Sequence, residues 1–131
     1  MIAALLLQIA APSIGPLPRQ ALPAKGCAAY LWSAADRSFV AMASAEPASL
    51  RISLDGKVID IARAGEDGAG DYGFAATTRY VAADLSATLA MQIARRADLN
   101  AGAAVPTGTL TIARVGQDSV VVPVAGLIGC S

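Results

Sequence analysis

Leu50-Arg51-Ile52-Ser53-Leu54-Asp55-Gly56-Lys57-Val58-Ile59-Asp60-Ile61 reads as two alternating strands hinged on Asp55-Gly56. An Asp-Gly pair between such runs is the strongest short-range hairpin signal, because a type I′ turn needs positive φ at both central residues. A two-residue loop also fixes the register. It sets Ile52 opposite Ile59 and Leu50 opposite Ile61 on one face, and Arg51 opposite Asp60 on the other. One face is apolar and the other carries an ion pair, the pattern of a sheet with one side on a core.

The same grammar recurs on both sides of this hairpin. Residues 28–33 and 38–44 read as strands around an Ala-Ala-Asp-Arg turn, with Tyr30 and Trp32 on one face. Residues 109–115 and the run from Val120 flank a Gly116-Gln-Asp-Ser119 turn and predict another hairpin. Residues 120–128 are nearly all apolar, which predicts burial on both sides, and Pro123 predicts a sheet edge or a bulge there. Leu85–Arg95 supports two readings. Leu85, Ala87, Leu89, Met91 and Ile93 alternate as in a strand, while Leu85, Leu89 and Ile93 also make a helical stripe with Asp84 as N-cap. Five alternating positions in an otherwise strand-like chain favour the strand. Residues 97–108, rich in Ala, Gly and Asn, are expected to form a loop. Six to eight short strands without a clear helix predict an all-β domain, a small antiparallel sandwich or partly closed barrel.

The two cysteines frame everything that reads as folded: Cys27 follows an apolar leader and Cys130 is the penultimate residue. One disulfide, Cys27–Cys130, is the simplest use of the pair, and it would make the first and last strands neighbours. Residues 2–11 have the length of a signal-peptide h-region and are too short to span a bilayer. Pro12, Pro16 and Pro18 stop a helix from running on. No basic residue precedes the run, and Ala11-Pro12-Ser13 and Ala24 both leave small residues for cleavage. The expected division is a signal peptide with a Pro-rich spacer over residues 1–24, then one exported β domain over residues 25–131. The expected location is periplasmic or secreted, with no stable membrane anchor after leader cleavage. Lys25 two residues before Cys27 argues against a lipidation signal.

Of 131 residues, 30 are alanine and only six are aromatic, so the core should be thin and a staple should matter. Closing a loop of about 100 residues is worth about 4–5 kcal/mol on the chain-entropy model. Ten basic and ten acidic residues cancel. No basic stripe offers itself to nucleic acid, and no polybasic patch to a membrane.

The chain has no histidine. That removes Ser-His and Cys-His nucleophile pairs and His-ligated metals. Lys57 sits beside a turn, where water keeps it protonated, and Asp36, Asp55, Asp67, Asp71 and Asp118 fall mostly in turns. The expectation is a protein that is not an enzyme and uses no cofactor or metal. The most site-like stretch is Gly65-Glu-Asp-Gly-Ala-Gly-Asp-Tyr-Gly73. Its carboxylates and glycines suit a hard cation in principle, but a single copy without the spacing of Gly-Asp calcium repeats reads as a surface connection. Glu66, Asp67, Asp71, Tyr72 and Phe74 are its candidate ligand or partner residues. Against that stands the plainer role of Tyr72, Phe74 and Tyr80 as scarce large core residues. Arg79, Arg95 and Arg96 are candidate anion holders, although neighbouring strand residues point to opposite faces and cannot serve one pocket.

The functional expectation is a small exported, non-catalytic binding or structural domain of the cell envelope acting through a protein partner. One alternative is an inhibitor of an envelope hydrolase presenting residues 66–71. Others are a hydrolase built on carboxylates or serine, and a subunit using residues 120–128 as an interface strand. The sequence names neither the partner nor the oligomeric state.

Overall fold

Asp55 and Gly56 take φ values of 51° and 82°. The hairpin they close pairs Leu54 with Lys57, Ile52 with Ile59 and Leu50 with Ile61, the register expected from the turn. Arg51 forks onto Asp60 through Nε and Nη2, at 2.8 and 3.1 Å. The computed structural model describes residues 11–96 and 102–131.

Within them the strands are β1 (Ile14–Gly15), β2 (Cys27–Ser33), β3 (Phe39–Ala45), β4 (Ala48–Leu54), β5 (Lys57–Asp67), β6 (Thr77–Ala82), β7 (Leu85–Arg95), β8 (Gly102–Arg114) and β9 (Val120–Cys130). From β2 onward each strand pairs antiparallel with the next, and β9 returns to β2. The result is a closed eight-stranded up-and-down barrel, with β1 added on β4. Closure removes the open edges that a sandwich would have to protect. Cys27 lies opposite Cys130 and the two are joined, so the bridge ties the first barrel strand to the last.

Eight strands enclose a space that side chains alone can fill. Leu31, Leu50, Ile52, Ile61, Tyr80, Leu89, Leu110 and Ile112 fill it, with Ala29, Ala41, Ala43, Ala87 and Ala103 between them. Small and large residues therefore interdigitate in an aromatic-poor core. Burial pushes the Tyr80 phenol up to about 12, partly offset by its hydrogen bond with Thr78.

Leu85–Arg95 is a strand, with Leu85, Ala87, Leu89 and Met91 buried and Ile93 packed against the core. Of the expected loop at 97–108, residues 97–101 lie outside the described residues, and the remainder opens β8 instead. The ladder tolerates Pro106 because a bulge between Val105 and Gly108 leaves it unpaired. Residues 120–128 are not buried on both sides. A closed barrel has one dry face, so Val122, Val124 and Ile128 turn inward while Val121, Pro123 and Leu127 remain exposed. Pro123 occupies neither an edge nor a bulge. Its carbonyl accepts from Ala34 N–H on the β2 side. A residue's N–H and C=O share a side in an antiparallel strand, so the missing N–H falls where β2 has already turned away.

The Pro-rich stretch after the leader lies along the outside of β2–β4. Ile14 and Gly15 pair with Leu54 and Ser53. Leu17 is buried with Ala28 and Met42 in a second apolar cluster, flanked by Tyr30 and Phe39. Leu17 N–H donates to Phe39 O at 2.7 Å, Tyr30 Oη donates to Ala21 O at 2.8 Å and Arg51 Nη1 to Gln20 Oε1 at 2.6 Å. The apolar run at residues 2–10 lies outside the described residues.

Candidate functional site

The barrel has two different ends. At the end bearing the Asp55-Gly56 turn, Arg114 of β8 reaches Asp55 on the opposite side of the strand circuit, at 2.9 Å. Ser13 N–H donates to the same carboxylate at 3.0 Å. These two partners, the Ser13 amide first, hold the Asp55 carboxyl below its usual range.

The disulfide end carries the connection between β5 and β6. Gly65, Glu66 and Asp67 belong to β5 rather than to a loop, so the connection proper runs over residues 68–76. It is held closely. Tyr72 and Gly73 both take positive φ, at 57° and 85°, so Asp71 and Phe74 close a tight turn, with Phe74 N–H on Asp71 O at 3.0 Å. A Cβ at Gly70 would run into the Phe74 carbonyl, and glycine alone fits that approach. The turn drives Phe74 into the barrel end, where it is buried with the core cluster, and lays Tyr72 against the same cluster. Met91 N–H donates to Ala76 O at 2.9 Å and fixes the far end of the connection to β7.

Asp71 is the electrostatic centre of this arrangement. Arg95 of β7 forks onto it through Nε and Nη2, at 2.7 and 3.2 Å. The guanidinium also lies over Tyr72, 5.5 Å from the ring centre. Arg95, and then the Tyr72 amide, hold the Asp71 carboxyl below its ordinary range. Glu66 pairs with Arg63 at 3.1 Å. Asp67 Oδ1 accepts the Gly68 N–H at 3.0 Å.

The five residues singled out from the sequence therefore divide. Glu66, Asp67 and the glycines around them face solvent, while Asp71, Tyr72 and Phe74 form the clamp that shapes the connection. Arg79 is apart from Arg95: it lines an outer depression of about 250 Å³ with Gly65, Glu66, Asp67, Thr77 and Thr88. No group of histidine, cysteine, aspartate or glutamate side chains able to hold a metal occurs among the described residues. Sequence reasoning missed the Asp71–Arg95 pair, whose members are 24 residues apart and meet only because β7 returns beside the connection. The Tyr72-Gly73 turn was not legible, since a bulky residue such as tyrosine seldom takes positive φ.

The chain matches no protein-family model, no curated protein and no solved structure.

Proposed function

We propose that this chain is a small exported, non-catalytic binding domain of the cell envelope, periplasmic or secreted, that docks a protein partner with residues 66–76. The clamp carries this reading: Asp71 is forked by Arg95 and Phe74 is buried in the barrel end. A loop already held in one shape loses little conformational entropy on binding. Recognition loops on rigid scaffolds are a common way to build a binding surface. The filled interior favours a partner at the outside, since the volume a carrier barrel gives its cargo is taken here by Leu31, Tyr80 and Leu110.

The barrel is apolar within, the reverse of a transmembrane barrel. The bridge supports an oxidising compartment. The lack of histidine, the joined cysteines and the exposed positions of Lys25 and Lys57 support a non-catalytic role. One form of the reading is an inhibitor of an envelope hydrolase, with residues 66–71 entering the partner's cleft.

The test is saturable capture of a protein from envelope extract on the immobilised domain, compared with an Asp71→Ala variant. Retention that weakens in the variant is expected. No saturable retention by the wild type would end the reading, and a retained hydrolase that loses activity would select the inhibitor form. A second reading, a subunit of an assembly, is favoured by the outer apolar strip of Trp32, Val121 and Leu127. Self-association on size exclusion would support it.

A further inference from the structure

Five arginines lie in strands of the described residues, and four of them hold a carboxylate of the same chain. Arg51 holds Asp60, Arg63 holds Glu66, Arg95 holds Asp71 and Arg114 holds Asp55. The fifth, Arg79 of β6, has no hydrogen bond or ion pair within the described residues. It sits mid-strand on the outer face, opposite Gly65 of β5 and Thr88 of β7. Its Nη2 lies 3.0 Å from the place a Cβ at Gly65 would occupy, so the absence of a side chain there lets the guanidinium lie across β5. Two acids line the same depression: Glu66 is paired with Arg63, and Asp67 Oδ1 accepts the Gly68 amide, neither touching Arg79. Thr77 and Thr88 bring hydroxyls into the same depression. A second depression, which shares Thr77, is lined by Ala90 and Gly108.

We propose that Arg79 anchors an aspartate or glutamate side chain of the protein partner, whose acidic loop lies in this outer depression beside the clamped connection. An arginine fork matches a carboxylate in two parallel hydrogen bonds. The threonine hydroxyls can donate to the same oxygens. Arginine with no partner of its own in a concave site is also a residue type enriched where interface binding energy concentrates. The proposal rests on the reading of the domain as a protein-binding module and narrows the partner to one that presents an acidic loop.

Two measurements separate the proposal from that reading. The first titrates the labelled protein with the peptides acetyl-Gly-Asp-Gly-amide and acetyl-Gly-Asn-Gly-amide, following backbone amide shifts. The Asp peptide should move Gly65, Thr77 and Thr88, weaken with salt, and lose its effect in Arg79→Gln, while the Asn peptide moves nothing. Equal shifts from both peptides, or shifts that survive Arg79→Gln, overturn the proposal. Equal melting temperatures of wild type and Arg79→Gln confirm that the variant folds. The second compares a captured partner on wild type, Arg79→Lys and Arg79→Gln. Affinity should fall about tenfold or more in Arg79→Gln, with Arg79→Lys between. A partner held equally by all three overturns the anchor and leaves the binding module standing.

Discussion

Asp71 shows what a single residue does in this molecule: its carboxylate accepts from Arg95 and the Tyr72 amide, while its backbone carbonyl accepts the Phe74 N–H that closes the turn. Its carboxyl is held below the ordinary range, so the clamp contributes in full above about pH 4, the value of an unfolded aspartate. The contribution is lost as the pH falls through the lowered folded value. Acid should therefore loosen residues 68–76 before the barrel opens, seen as faster amide exchange there. Asp71→Asn should show that faster exchange already at neutral pH and little further change on acidification. An acid response unchanged by Asp71→Asn would assign the loosening to another group. At this scale the sequence was only partly readable. The Arg51–Asp60 pair followed from turn register alone, because hairpin neighbours are fixed by local geometry. Arg95 and Asp71 meet through the return of a later strand, which no local pattern encodes.

Among the elements, those with strong local chemistry matched expectation. The Asp55-Gly56 hairpin and the β2–β3 pair have their turn residues and alternation in agreement. Alternation correctly favoured a strand for Leu85–Arg95 over the helical stripe on the same residues. The Val120–Cys130 strand misled because a run of valines looks the same whether a sheet has one dry face or two. The strap at residues 13–22 was read as a spacer because prolines and polar residues carry no period, and its role depends on the outer apolar face it meets. Leu17 is the peg of that strap. Leu17→Ala should cost about 2 kcal/mol or more, the lower end for a buried leucine, and should increase the fluorescence of a dye that binds exposed apolar surface. A melting transition and dye signal equal to wild type would mean that the strap contributes no stability.

For the whole molecule, closure of the barrel turns on Cys27–Cys130. A meander closes only if its first and last strands find each other across the full chain, a contact with a large loop-closure cost. The bridge, 103 residues apart in sequence, constrains the unfolded chain where that cost is greatest. Reduction should lower stability by about 2–5 kcal/mol, read from denaturant unfolding with and without reductant. Identical midpoints would show that the barrel closes without help from its staple. The placement of the two cysteines made this the most legible global feature, whereas the choice between sandwich and closed barrel was not legible. Both use the same short alternating strands, and the unbroken ladder from β4 through β9 and back to β2 decides between them.

The clamped connection at the disulfide end, with Arg79 beside it, is the surface proposed to meet a partner. Hydrogen exchange of the captured complex against the free domain tests it directly. New protection is expected over residues 65–79 and the facing part of β7. Protection confined to Trp32 and residues 121–127, with residues 65–79 unchanged, would contradict it.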